Sequence, residues 1–209
     1  MSLSAKTSII AWWVLIFIAL LIWYRNVGYD RVMSGIFVVL GLIHLIEYGC
    51  HSALKPKVSG NLIIISLTIL LIVVTFGVYL YTDNIIALIA SMVAVGLMIT
   101  VIFGIMCDEG LYRCSVNEIG TSPSWTYNGD DMLGGSIFIF AACVIVSWIC
   151  MLTYTEFQDI GLYIIAGYVF FSLLYCSSYY SCDRIGSTWC YMLTGLALIV
   201  WVIGLFKQI

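Results

Sequence analysis

Between residues 30 and 51 the chain reads DRVMSGIFVVLGLIHLIEYGCH, and beyond Asp30 and Arg31 at its start this largely apolar run carries two histidines, a glutamate and a tyrosine. His44 and Glu47 are one helical turn apart, and Tyr48 and His51 extend the row. An imidazole beside a carboxylate can relay protons, coordinate a cation or hydrogen-bond a polar ligand. It can equally be a buried network that fixes helix packing, with Glu47 neutral or paired to a tyrosine or histidine of another helix. Asp30, Ser34, Phe37 and Gly41 fall on the same stripe, while Ile36, Val39, Leu40, Ile43 and Ile46 fill the other sides. A charged group at the centre of an inserted helix costs roughly 2.5–3.5 kcal/mol, so the polar stripe is expected to face other helices or an internal cavity.

The elements that position this stripe are membrane spans. Of 209 residues, 63% are hydrophobic and 9% charged, and the mean hydropathy is +1.12, far outside the range of a soluble domain. The expected fold is all-α, a polytopic seven-transmembrane-helix bundle in one domain (1–209), in contact with the lipid bilayer. Its spans are placed at 8–24, 32–52, 62–81, 85–106, 133–153, 161–181 and 189–206. The first run ends in Trp23, Tyr24 and Arg25 without a small-x-small cleavage pattern, and so reads as a retained span. Trp12 and Trp13 at one end, with Trp23 and Tyr24 at the other, suit the two interfaces. Pro56 and Pro123 both fall in polar connections. The third and fourth spans, separated by Tyr81 to Asn84, should form an antiparallel hairpin. An odd number of crossings puts the termini on opposite sides. The long acidic connection, 107–132, carries a turn signal at Asn128-Gly129 and a strand expected at Tyr112 to Val116. It reads either as a lid or as a solvated, partly ordered hairpin.

In the sixth run, Tyr168, Ser172, Tyr175 and Tyr179 recur at helical spacing, and a row of phenols is a natural partner surface for Glu47. The candidates for a ligand or ion pathway are therefore His44, Glu47, Tyr48, Tyr168 and Tyr175. No metal site is expected: both histidines lie on the second run, and His44 and His51 are separated by about 10 Å of helix axis. No cofactor is expected either. All four lysines (Lys6, Lys55, Lys57, Lys207) lie outside the apolar runs, which excludes a retinal Schiff base. A net charge of -3 and no basic cluster beyond Lys55 and Lys57 exclude nucleic acid as a partner. No nucleophile elbow or phosphate-binding loop is present.

Six of the eight cysteines gather near the face that carries the N-terminus, which points to an oxidising side and to disulfides, Cys107 with Cys114 or Cys182 with Cys190. Dense packing near helix ends is the alternative. The basic residues, five on that face against three on the other, lean the opposite way. The cysteines decide for an N-terminus outside. At the first turn Asp30 is placed to cap the second helix, with Arg25 and Arg31 pairing to it or to lipid phosphate, so these three residues should anchor the turn.

Arg25-Asn26, Asp30-Arg31, Phe37 and the string Leu42-Ile43-His44-Leu45-Ile46-Glu47-Tyr48-Gly49 together resemble the first-loop and second-helix signature of an uncharacterised family of seven-helix membrane proteins from large DNA viruses and protists. The resemblance covers the stretch 25–49 and the overall length and span count. It implies a viral membrane as context and a Glu47-Tyr48 pair that belongs to the fold, and it carries no activity. His44 stands where that family has glutamine, so no role of that amide transfers.

Two functions compete. One is a channel, transporter or sensor whose polar interior is lined by His44, Glu47 and the sixth-run tyrosines. The other is a structural or interaction protein of a cellular or virion membrane, self-associating or bound to other membrane proteins. An enzyme is the least supported class.

Overall fold

The computed structural model describes residues 5–27, 30–52, 56–106, 112–115, 124–127 and 182–206, together with 164, 167–169, 171–172 and 175. Among these residues the chain forms five helices, α1 (Ala5–Arg25), α2 (Asp30–Ser52), α3 (Pro56–Thr82), α4 (Ile85–Met106) and α5 (Cys182–Phe206), and two short strands, β1 (Tyr112–Ser115) and β2 (Ser124–Tyr127). Ala5–Arg25, Asp30–His51 and Gly60–Leu80 are long and apolar enough to cross a membrane, and Ile85–Thr100 and Cys190–Phe206 are shorter apolar helical stretches. The architecture is that of a helical, membrane-embedded protein. The fifth run (133–153) and most of the sixth lie outside the described residues.

The turns explain where the helices stop. Asn26 takes φ 52° and Asp83 takes φ 49°, the left-handed geometry that ends a helix and that Asn and Asp tolerate better than most residues. Their N–H groups return to the Ile22 and Tyr79 carbonyls at 3.1 and 2.8 Å. Asn84 then opens α4 by accepting from the Ile86 N–H through Oδ1 at 2.9 Å. The α3–α4 hairpin thus turns on two residues, each supplying one cap. Pro56 is the first residue of α3 rather than part of the connection, a position where its missing N–H is harmless. As a result α3 starts six residues before the expected span, and its 27 residues extend about 40 Å.

The core lies between α1, α2 and α5. Leu15, Ile18, Ala19 and Ile22 of α1 meet Phe37, Leu40 and Ile43 of α2 and Leu193, Leu196, Ala197 and Val200 of α5, all buried. Ser34 donates to the Ala19 carbonyl at 2.8 Å, a polar tie inside this packing. On the far side α3 packs against α2 through Gly77, where a Cβ would come within 2.5 Å of Val32. A smaller cluster of Leu71, Ala90 and Ala94 joins α3 to α4. Trp13, Trp23 and Tyr24 point outward, as interfacial aromatics do. The strands pair antiparallel, Tyr112 opposite Tyr127 and Ser115 opposite Ser124. The expected strand is present at Tyr112–Ser115. β1 lies against α3 and reaches α2, while β2 lies against α5.

Candidate functional site

Two polar clusters interrupt the apolar α1–α2–α5 core, one at each end, and they differ in how completely they are satisfied. At the α1–α2 turn, Arg25 Nε and Nη2 each donate to Asp30, to Oδ2 and Oδ1, both at 2.7 Å. The two side chains are 7% and 3% exposed. Arg25 Nη1 also donates to the Trp201 carbonyl at 2.6 Å, and Nη2 reaches the Val200 carbonyl at 3.4 Å. Asp30 Oδ2 accepts from the Val27 N–H at 2.9 Å. This corrects part of the expectation for the turn. The Asp30 carboxylate turns back onto the connection, and Arg31 pairs not with Asp30 but with Asn26 Oδ1, at 2.6 Å. Gly204 lies under the Arg25 guanidinium, and any Cβ there would collide with it. The fork-to-fork pair therefore fastens the first turn to the last turns of α5.

At the other end, His44 and Glu47 are both buried, each 1% exposed. One turn apart on α2, they meet at 3.0 Å through Nδ1 and Oε2. His44 Nε2 lies 3.3 Å from the Cys190 carbonyl and 3.4 Å from the Thr194 hydroxyl. The Tyr191 ring meets the imidazole edge-on at 6.2 Å between centroids. Glu47 Oε1 is buried and has no hydrogen-bond partner among the described residues. His51 lies one turn further on along α2. Ser8, buried on α1, continues the inward stripe of Ala11, Leu15 and Ile18 toward this end. The pair stands five residues before the end of α2 at Ser52, about 7.5 Å of axis.

The sixth-run tyrosines take other places. The Tyr168 phenol donates to the Met192 carbonyl of α5 at 2.7 Å, so it braces the helix packed against His44 instead of meeting Glu47. Ser172 is buried and donates to its own helix, to the Val169 carbonyl at 2.9 Å. Tyr175 and Tyr48 are exposed. Glu47 thus finds its partner on its own helix. Thr194 and Tyr191, which the sequence reading did not single out, flank the imidazole. Their signal was present in the pattern Cys190-Tyr191-Thr194, with Cys190 and Thr194 one turn apart at the start of the last apolar run.

The cysteine expectation needs correction at one pair. The Cys190 and Cys50 thiols are not joined in disulfides. Cys182 lies eight residues before Cys190 on the same helix, about 12 Å along the axis, whereas a disulfide needs Cα atoms within about 7 Å. Cys114 lies in β1, and Cys107 falls outside the described residues. Among the described residues no group of three or more His, Cys, Asp or Glu side chains is placed to hold a metal ion. Fold and site together define a helical membrane protein with a buried histidine–carboxylate pair. No family model, no curated protein and no solved structure matches the chain.

Proposed function

We propose that this is a seven-span integral membrane protein, with spans five and six supplied by runs 133–153 and 161–181, and that it binds a small cation, the proton included, at His44 and Glu47. The observation that carries this reading is the contrast between the two buried clusters. Arg25 and Asp30 have partners for both carboxylate oxygens and for the guanidinium fork, as a packing device should. Glu47 is as deeply buried but keeps Oε1 without a partner among the described residues. An unsatisfied buried polar group costs about 1–3 kcal/mol, a poor choice for a residue whose task is only to hold helices together.

Position narrows the class. Toward the Arg25 end, the space between α1, α2 and α5 is filled by Phe37, Leu40, Ile43, Leu15, Leu193 and Leu196. Among the described residues, the packing of these three helices on that side of His44 is apolar apart from the buried Ser34. A site near the C-terminal end of α2, with apolar packing on its other side among the described residues, fits a sensor or a gated transporter better than an open channel. A structural role in a cellular or virion membrane is the second reading. The closed apolar core favours it, and so does the resemblance of residues 25–49 to the viral and protist family.

Calorimetric titration of the purified full chain in lipid nanodiscs with sodium, potassium and calcium chloride, each at two pH values, tests the proposal. Saturable heat or proton exchange in the wild type, lost in Glu47→Gln at unchanged helix content, is the expected result. Identical titrations in both proteins would refute it.

A further inference from the structure

His44 Nε2 lies between two groups of α5, of which only one can donate a hydrogen bond. The Cys190 carbonyl, at 3.3 Å, can only accept. The Thr194 hydroxyl, at 3.4 Å, can donate. The two belong to successive turns of one helix face. At the other edge of the ring, a proton must lie between Nδ1 and Glu47 Oε2, because two bare lone pairs facing each other at 3.0 Å would repel. We propose that His44 and Glu47 form a one-proton site and that the imidazole registers its occupancy by exchanging partners on α5, the Thr194 hydroxyl when the site is empty and the Cys190 carbonyl when it is filled. This rests on the binding-site reading of the pair and names its ligand.

The protons balance as follows. In the empty site Glu47 is a carboxylate, Nδ1–H donates to Oε2, and the Nε2 lone pair accepts from the Thr194 hydroxyl, for a net charge of about -1 on the pair. An incoming proton bonds to Nε2, and the new N–H donates to the Cys190 carbonyl. The proton between Nδ1 and Oε2 stays in that hydrogen bond, nearer one atom or the other, and the pair becomes neutral overall. No other bond forms or breaks.

The surroundings suit a proton better than a metal ion. Among the described residues, the titratable groups beside the pair are Tyr191 and Cys190 on α5 and His51 on α2. Lys6 of α1 is exposed. Among the described residues, the only ion pair Glu47 makes is with His44, and no third ligand converges with the two. A filled site is neutral and an empty one charged, so the site's state changes the electrostatics of a packed helix interface and the bonding of one turn of α5. That is the minimum a membrane proton sensor requires.

The test is nuclear magnetic resonance of the full chain in lipid nanodiscs with nitrogen-15 histidine. The chain has two histidines, so the His51→Gln variant leaves the His44 ring as the only signal. As the pH is lowered, Nε2 is expected to pass from bare to protonated in a single one-proton step. With the filled state bonded to the Cys190 carbonyl, Thr194→Val removes a donor to the empty state and should move that step to higher pH, by on the order of half a unit to one unit. Thr194→Ser should restore it. Nε2 protonated throughout, or a step that Thr194→Val leaves in place, overturns the switch. If pH changes nothing but sodium or potassium chloride shifts the ring signals in a Glu47-dependent way, the proton is the wrong ligand and the binding-site reading stands. If neither pH nor salt has an effect, both are wrong.

Discussion

Arg25 is the side chain through which three helices meet at one end of the protein. It pairs with Asp30 at the start of α2 and donates to two carbonyls near the end of α5. Breaking a buried pair strands the remaining charge, so Arg25→Met should cost about 3–5 kcal/mol of stability, read by chemical unfolding in mild detergent. Arg25→Lys should fall between, because an ammonium cannot reproduce the planar fork. A loss below about 1 kcal/mol in Arg25→Met would show that the pair does not hold the bundle. Half of this arrangement was legible in the sequence. The Arg25–Asp30 spacing across a short turn signals the pair, but the carbonyls of Val200 and Trp201 have no side-chain signature, and 175 or more residues of chain separate them from Arg25. The same limit applied to Glu47. That it would be buried followed from the energetics of a carboxyl group in a membrane span, but its partner did not, because a residue one turn away on the same helix and a tyrosine from another helix satisfy the same rule.

At the scale of elements, the helices were legible wherever apolar length defined them. The fourth run begins and ends where α4 does, at Ile85 and Met106. α3 and α5 start six and seven residues before the expected spans, because polar residues at a helix start continue the helix past the apolar window and hydropathy does not register them. The first strand was visible from its β-compatible residues. β2, whose serine, threonine and aromatic composition is short and ambiguous, was not. The α2–α3 contact depends on Gly77 more closely than any periodicity suggests. Gly77→Val would drive its side chain into Val32, and overpacking of this kind should destabilise by roughly 1–3 kcal/mol. Val32→Ala in the same chain should recover much of the loss. Denaturant midpoints of the single and double variants check both expectations, and a double variant no better than Gly77→Val alone would mean that the two side chains do not meet.

At the scale of the whole molecule, the seven spans proposed above would place the two termini on opposite sides of the membrane. Protease protection of terminal tags in sealed vesicles should therefore protect one tag and expose the other. Two tags with equal protection would reduce or raise the span count by one. The two ends of the α1–α2–α5 core would then divide the work, Arg25 and Asp30 fixing the turn and His44 and Glu47 facing a ligand near the end that β1 adjoins. The central claim is that the second pair is kept for binding rather than for stability. Unfolding of the double variant His44→Leu, Glu47→Leu tests it most directly, since both side chains are replaced by apolar ones and no unpaired partner remains. A binding role predicts a variant as stable as the wild type or more stable by up to about 4 kcal/mol, as found when buried ion pairs give way to packed apolar side chains. A loss of more than about 2 kcal/mol would contradict it and make the pair a packing device.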